Sequence, residues 1–167
     1  PLTHDRASGV LMPSYGWMNG RGYYLKDGGY YFAINDFLDL ALIGELYTNL
    51  SWAAEAKSNY YRRYKYKGYF DIRYGITKTG IRGDSNTYRQ YGDFKVTWRH
   101  DQDAKANPNS RFSANVNLIS RNYNRNTTNQ NDYFNSTTTS SVSYTSSIGS
   151  WFNLALSARE SYNVQTG

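Results

Sequence analysis

Hydrophobic and polar residues alternate along most of the chain, with the period of two that places successive side chains on opposite faces of a β-strand. Between residues 38 and 46, a row of leucines alternates with Asp39, Ala41, Ile43 and Glu45. No stretch keeps the 3.6-residue period of an amphipathic helix. Together with two strands before Phe37, the pattern predicts an all-β, antiparallel fold of about nine strands. The clearest strands cover residues 38–47, 52–61, 70–77, 94–99, 111–118, 142–144 and 152–159.

The first two predicted strands contain residues that weaken strand pairing. The stretch from Ser8 to Ile34 is rich in tyrosine and other strand-forming residues. Yet Pro13 has no backbone N–H to donate to a neighbouring strand, and Gly28 and Gly29 have no side chain to pack. Taken on the residues alone, the simpler interpretation is that they end or bend two strands. The alternative is a pairing that is weak because it has to open.

Three features favour a membrane β-barrel over a soluble β-sandwich, although alternation alone fits both. Every charged residue within these strands lies on the polar face. The strands run for about 9–12 residues, the length needed to cross a bilayer. Aromatic residues concentrate at the strand ends, as in the interfacial girdles of membrane barrels. The candidate girdle residues are Tyr47, Trp52, Tyr60, Tyr61, Tyr64, Tyr66, Tyr69, Tyr88, Tyr91 and Tyr133.

The composition is compatible with a barrel and excludes several other classes of protein. No run approaches the roughly 20 apolar residues of a membrane-spanning helix. The chain has no cysteine, which excludes disulfides, zinc–thiolate sites and thiol catalysis. Its formal net charge of +6 points to anionic partners, which include nucleic acid, phospholipid and lipopolysaccharide.

The predicted connections fall into two sets that alternate along the chain. One set contains the two longest, at residues 78–90 and 120–133, and membrane barrels place their long loops outside the cell. The other set, which includes residues 62–67 and 100–109, is then periplasmic. No closing strand is evident. We therefore expect residues 1–167 to be part of one larger barrel domain, without a separate second domain.

No motif predicts catalysis, a cofactor or a metal site. His4 and His100 are far apart and lack neighbouring ligands. The triplet at residues 83–85 resembles part of a serine-protease motif but lacks the glycine that must follow it. The triplet at residues 82–84 matches a cell-adhesion tripeptide, which is common by chance. We therefore predict that the protein is not an enzyme.

The basic and aromatic run from Arg62 to Lys67 has two interpretations. Single-stranded nucleic-acid binders interleave these residue types. At a turn between two membrane-length strands, however, cations and tyrosines are typical of a lipid interface. The position of the run favours the lipid interface and no nucleic-acid partner.

The polar face of the predicted strands contains charges of both signs, and we expect these side chains to face the lumen. They either wet that lumen or contact an anionic amphiphile that moves through it. The candidate lumen-facing residues are Glu55, Lys57, Asp71, Arg73, Lys95, Arg99, Arg111 and Arg159.

Several segments resemble the start of the barrel domain of the LptD family, the lipopolysaccharide-assembly proteins of Gram-negative outer membranes. At the beginning they are SGVLMPSYG and GYYLKDGGYYFAINDFLDLALIGELYTNLSW. Further along they are AKSNYYRRYKYKG, FKVTWRHDQDAKANPNSRFSANVN and FNLALSARESYNVQTG. The resemblance covers nearly the whole chain and rests on the order and spacing of these segments.

The resemblance implies a very large barrel, preceded by a periplasmic β-jellyroll and plugged by an LptE-like lipoprotein. It also implies that lipid leaves sideways between the first and last strands, where family members have prolines that loosen the seam. Pro13 matches the first of these positions. Gly28 and Gly29 stand near the second, and they depart from proline although they also weaken pairing. With the resemblance, these three residues become candidates for a lateral gate.

The expected function is therefore transport and assembly of lipopolysaccharide by an integral protein of the cell outer membrane. The expected partners are lipopolysaccharide, the plug lipoprotein, periplasmic lipopolysaccharide-bridge proteins and outer-membrane lipids. Two alternatives remain open at this point. One is a porin-like or nutrient-uptake barrel, and the other is a secreted β-sandwich that binds glycans through its tyrosines.

Overall fold

The computed structural model describes residues 7–120, 137–148 and 152–163, and these ranges form a single β-sheet. The strands are β1 (Gly9–Leu11), β2 (Ser14–Met18), β3 (Gly22–Asn35), β4 (Leu38–Tyr47), β5 (Trp52–Arg62), β6 (Tyr66–Thr79), β7 (Arg89–Gln102), β8 (Ser110–Ile119), β9 (Thr137–Ile148) and β10 (Phe152–Asn163). No helix in the described part of the chain is long and apolar enough to cross a membrane.

The sheet is antiparallel and follows the order of the chain. From β3 to β10 each strand pairs with the next, while β1 and β2 both pair with β3. β3, β6 and β7 each contain 14 residues, which at about 3.3 Å per residue gives roughly 45 Å. A strand of that length crosses a hydrocarbon core of about 30 Å even when it tilts by ~45°. The sheet is open, and its architecture confirms the all-β prediction and is consistent with part of a larger barrel.

Ten strands are present in the described ranges where the sequence pattern predicted about nine. The additional strand arises because Pro13 divides the first predicted strand into β1 and β2. Two of the predicted connections are shorter than expected. β6 continues to Thr79, into the connection predicted at residues 78–90, and β7 continues to Gln102, into the one predicted at residues 100–109. In both cases the pairing of β6 with β7 extends the ladder past the point where the sequence alternation becomes unclear.

The two faces of the sheet have opposite chemistry, and the polar face is the more buried one. Residues paired across an antiparallel ladder lie on the same face, and the register aligns Ile72 with Val96 and Val96 with Leu118. On this apolar face Ile72 is 37% exposed and Leu156 is 58% exposed. On the polar face, by contrast, Asp71 is only 3% exposed. A soluble sandwich would show the reverse, and this arrangement is consistent with a membrane protein.

The predicted aromatic girdle divides between the two faces. Trp52 and Tyr74 pack together on the apolar face, with ring centroids 5.9 Å apart. Tyr47 and Tyr69 instead lie on the polar face, where their hydroxyl groups donate to Glu45 and to Asp71. Their assignment to the girdle was therefore wrong, because position at a strand end does not decide which face a side chain occupies. Tyr133 and the predicted connection at residues 121–133 lie outside the described residues.

The two faces give a direct test of membrane placement at neighbouring positions of β7. Val96 lies on the apolar face between Ile72 and Leu118, whereas Thr97 lies on the polar face opposite Asp71. If the apolar face meets lipid, Val96→Arg is expected to cost roughly 2–4 kcal/mol, while Thr97→Arg leaves stability nearly unchanged. The measurement is the folded fraction after reconstitution of the full-length protein into lipid vesicles. Equal tolerance at both sites would contradict membrane placement.

Candidate functional site

The outer strand of the sheet is interrupted at Pro13. β1 and β2 pair with β3 in one continuous register, from Leu11 opposite Gly29 to Ser14 opposite Lys26. Between these pairs, Met12 and Pro13 make no ladder pair with β3. Proline lacks the backbone N–H that a ladder uses, so the sequence accounts for the position of the break.

β3 has an irregularity at the same level, in its pairing with β4. The register shifts between Leu25, which pairs with Leu46, and Gly28, which pairs with Gly44. Two residues of β3 therefore lie opposite the single residue Glu45, which is the arrangement of a β-bulge. Asp27 within the bulge has a φ of 63°, a left-handed conformation that aspartate adopts more readily than most residues.

These two irregularities change the phase of the pleat in both outer strands. In the first strand the most exposed apolar residues are Val10 and Met12 before the break and Tyr15 and Trp17 after it. Tyr15 follows Met12 by three residues, whereas an unbroken strand would keep a spacing of two. In β3 the exposed positions change from odd to even across Asp27, and they are Tyr23, Leu25, Tyr30, Phe32 and Ile34. β4 keeps one phase throughout. We call the four residues at which both strands change phase, Met12 and Pro13 in the first strand and Lys26 and Asp27 in β3, the phase slip.

The glycines beside the phase slip lie close to both neighbouring strands. Gly28 and Gly29 pair with β4, at Gly44 and Ile43. A Cβ atom built on Gly28 would lie 2.8 Å from the Cβ of Pro13, and one built on Gly29 would collide with the carbonyl oxygen of Leu42. Both glycines therefore allow a close approach of neighbouring strands, and a larger residue at Gly29 would push β3 away from β4.

Five of the eight candidate lumen residues lie together on the polar face. The register aligns Glu55 with Arg73 and Arg73 with Lys95, and it places Lys57 opposite Asp71 in the next row. Lys57 and Glu55 form an ion pair of 3.3 Å.

The other three candidates are further apart and more exposed. Arg99 on β7 pairs with Asn115 on β8, and Arg159 lies in the same row on β10, opposite Ser141 of β9. Arg111 lies near the start of β8, where it contacts Asp101 at 3.4 Å with 63% of its side chain exposed.

A buried ion pair ties the polar face together. The Arg73 guanidinium donates to both carboxylate oxygens of Glu45, at 2.7 and 2.9 Å, with only 12% and 8% of the two side chains exposed. Tyr47 donates to the same carboxylate at 3.3 Å, and the guanidinium of Arg21 lies 5.3 Å from the centre of the Tyr47 ring. Ala53 lies on the strand between the two partners, and its small side chain leaves room for Arg73 to reach β4.

The whole chain matches one protein family. A model of the LptD protein family matches residues 1–167. The chain belongs to the LptD family. A comparison with curated proteins finds no match. Family membership supports a role related to lipopolysaccharide transport in a family of transport and assembly proteins rather than enzymes. Together with the β-rich fold, it is consistent with an outer-membrane protein.

In this LptD-family chain, sequence reasoning found Pro13 and missed two parts of the site. The first is Asp27. The exposed apolar residues of β3 have odd numbers before it and even numbers after it, and that change is visible in the sequence. The second is the contact between Glu45 and Arg73, because residues 28 apart meet only through the register of three strands. Glu45 was recognised as polar, but nothing in the sequence names its partner.

The adhesion-like triplet at residues 82–84 has a structural explanation. The Asp84 carboxylate accepts from the backbone N–H of Asn86 and from the hydroxyl of Thr87, each at 2.9 Å, which orders the loop after β6. These hydrogen bonds hold the pKa of Asp84 below its usual value. Among the residues that the structure describes, no group of three or more histidine, aspartate or glutamate side chains is arranged to hold a metal ion.

Proposed function

We propose that this chain forms the first strands of an integral outer-membrane barrel that inserts lipopolysaccharide into the outer leaflet. In this proposal β1 and β2 form one side of a lateral exit, with Pro13, Gly28 and Gly29 at the gate. The observation on which the proposal rests is the phase slip, where the break at Pro13 and the bulge at Asp27 weaken both outer strands at one level.

The phase slip lowers the cost of moving the outer edge of the sheet. Each ladder hydrogen bond contributes a net ~0.5–1.5 kcal/mol, and the pairs that Met12 and Pro13 would make with β3 are absent. The short β1 and β2 segments are each held by few ladder pairs, and the residue between them, Pro13, has no backbone N–H to donate to β3. An edge of this kind separates from its neighbour more readily than a continuous strand does.

The polar face supplies a surface for the phosphorylated sugars of lipopolysaccharide. Its acidic groups Glu45 and Asp71 are buried and hydrogen-bonded to neighbouring side chains. Arg99 and Arg159 are exposed on this face, while Arg111 is exposed but contacts the Asp101 carboxylate at 3.4 Å. An anionic glycan that passes along this face would therefore meet the cationic side chains of Arg99 and Arg159.

The remaining proposed partners follow from the two faces and from family membership. A lumen lined by the polar face would accommodate an LptE-like plug lipoprotein, and the apolar face would contact outer-membrane lipids. Periplasmic lipopolysaccharide-bridge proteins would deliver the substrate. The proposal includes no nucleic-acid partner, no cofactor and no catalytic residue.

Site-specific photo-crosslinking tests the lateral exit in the full-length protein. Tyr15 lies beside the phase slip, is 85% exposed and points from the apolar face of β2. A photoreactive amino acid at this position is expected to capture lipopolysaccharide during active transport. The same amino acid at Leu156, which is 58% exposed on the apolar face of β10, serves as a control and should capture mainly phospholipid. Equal capture of lipopolysaccharide at both positions, or none at Tyr15, would contradict exit at these strands.

A further inference from the structure

A group of hydrogen-bonded aromatic residues occupies the apolar face at the end of the sheet opposite the 80–88 loop. The indole N–H of Trp98 donates to the hydroxyl oxygen of Tyr60 at 2.9 Å, and that hydroxyl lies 2.9 Å from Nδ1 of His100. Because Tyr60 accepts from Trp98, its own proton is free for Nδ1 of His100. In that arrangement the other ring nitrogen of His100 keeps its proton and is a donor for a further group.

The surrounding rings hold this group in place. The rings of Tyr66 and Phe112 lie 5.8 and 5.4 Å from the ring of His100, and Tyr60 lies across the backbone of Gly68, where any Cβ would collide with its ring. We call Tyr60, Tyr66, Trp98, His100 and Phe112 the aromatic platform. Tyrosine, tryptophan and histidine combine apolar rings with polar atoms, which suits a boundary between hydrocarbon and headgroups.

A set of cations borders the platform at the two adjoining turns. The turn between β5 and β6 contains Arg63 and Lys65, and the turn between β7 and β8 contains Lys105. The backbone N–H of Asp103 donates to the carbonyl oxygen of Lys65 at 2.9 Å, which joins the two turns. The Tyr64 ring lies between the charged groups of Arg63 and Lys105, at 4.9 and 5.0 Å from its centre.

Arg62 completes this border on the apolar side of the sheet. It is exposed and pairs with Tyr66 of the platform. We call Arg62, Arg63, Lys65 and Lys105 the cationic rim. Asp103 lies in the same turn as Lys105 and accepts from its backbone N–H, so the rim has four cations beside this carboxylate.

We propose that the cationic rim and the aromatic platform together bind an anionic phospholipid. The phosphodiester contacts the rim and the second ring nitrogen of His100, and the acyl chains lie along the apolar face below, beside Phe70 and Val96. The inference rests on the membrane placement in the proposed function. Two features identify the ligand: the rim is cationic, which favours an anionic group, and the rim lies next to the apolar face, which favours an acyl chain. A glycan or an acidic protein would match the rim alone, whereas a phospholipid matches the rim and the apolar face together.

Lipid retention by the full-length protein tests this site. The protein is reconstituted in vesicles of phosphatidylethanolamine with phosphatidylglycerol and extracted, and the phosphatidylglycerol that remains bound is counted by mass spectrometry. Replacing rim cations with glutamine (Arg62→Gln, Arg63→Gln, Lys65→Gln and Lys105→Gln) is expected to weaken retention roughly fivefold for each cation removed. The matched control, Lys78→Gln with Arg82→Gln and Arg89→Gln, removes cations at the opposite end and should leave retention unchanged.

A second variant tests the platform without changing the charge of the rim. His100→Phe keeps an aromatic ring but removes the N–H, and it should lower phosphatidylglycerol retention while the rim is intact. Unchanged retention in the rim variant, or an equal loss in the opposite-end control, would overturn the site. Neither outcome bears on the transport proposal, because in both cases the variant proteins have inserted into the membrane and only their lipid retention differs from the expected result. Failure of the unaltered protein to insert into these vesicles would instead overturn the membrane placement, and the lipid site with it.

Discussion

Replacing Arg73 with alanine is expected to destabilise the protein by about 3–5 kcal/mol. The substitution leaves the Glu45 carboxylate buried, at 8% exposure, without the two guanidinium hydrogen bonds that it accepts in the structure. Tyr47 still donates to it, but a single neutral donor does not compensate a buried charge. The measurement is urea unfolding of the full-length protein reconstituted in lipid vesicles.

Two controls separate the loss of the ion pair from the loss of a side chain. Arg99→Ala removes an exposed guanidinium from the same face and should cost only about 0–1 kcal/mol. The double variant Glu45→Gln with Arg73→Met removes both charges and should recover much of the lost stability, because no unpaired charge remains. If Arg73→Ala were as mild as Arg99→Ala, the buried pair would not be a main contact between β4 and β6.

Removing the phase slip is expected to slow lipopolysaccharide export by roughly fivefold or more. Deleting Pro13 and Asp27 together takes one residue from each outer strand. The exposed positions then follow one another without a change of phase, and the register of β3 with β4 becomes continuous. Two restored hydrogen bonds at ~0.5–1.5 kcal/mol each would raise the cost of opening by roughly 1–3 kcal/mol. About 1.4 kcal/mol corresponds to a tenfold change in rate.

The deletion leaves Gly28 and Gly29 in place, because larger residues there would separate β3 from β4 rather than tighten the seam. The measurement is the rate at which labelled lipopolysaccharide reaches the cell surface, compared with the heat stability of the barrel. Gly9→Val is the matched control. It raises strand propensity in β1, where a Cβ meets no atom within 4 Å, and it should not affect export. Normal export by a deletion variant that folds normally would show that the phase slip is only structural.

The fold class followed from local pattern because the alternation of a strand depends only on the residues of that strand. The leucines and acidic residues of β4 predicted two faces of opposite character, and the structure has them. Pro13 marked the break in the outer strand for an equally local reason, since the missing N–H belongs to the residue itself. The change of phase at Asp27 was also present in the sequence, in the parity of Tyr23, Leu25, Tyr30 and Phe32.

Contacts between strands could not be predicted in the same way, because they depend on register. A shift of two residues would keep every side chain on its face but would move Arg73 away from Glu45 and Trp98 away from Tyr60, and the alternation within a strand does not distinguish the two registers. The same holds for Gly29, whose role depends on how closely the Leu42 carbonyl of β4 approaches it. The sequence by itself thus determined the two faces and the position of the break. Tertiary structure decided that the break and the bulge lie at one level, because only pairing across strands aligns residues that are distant in the chain.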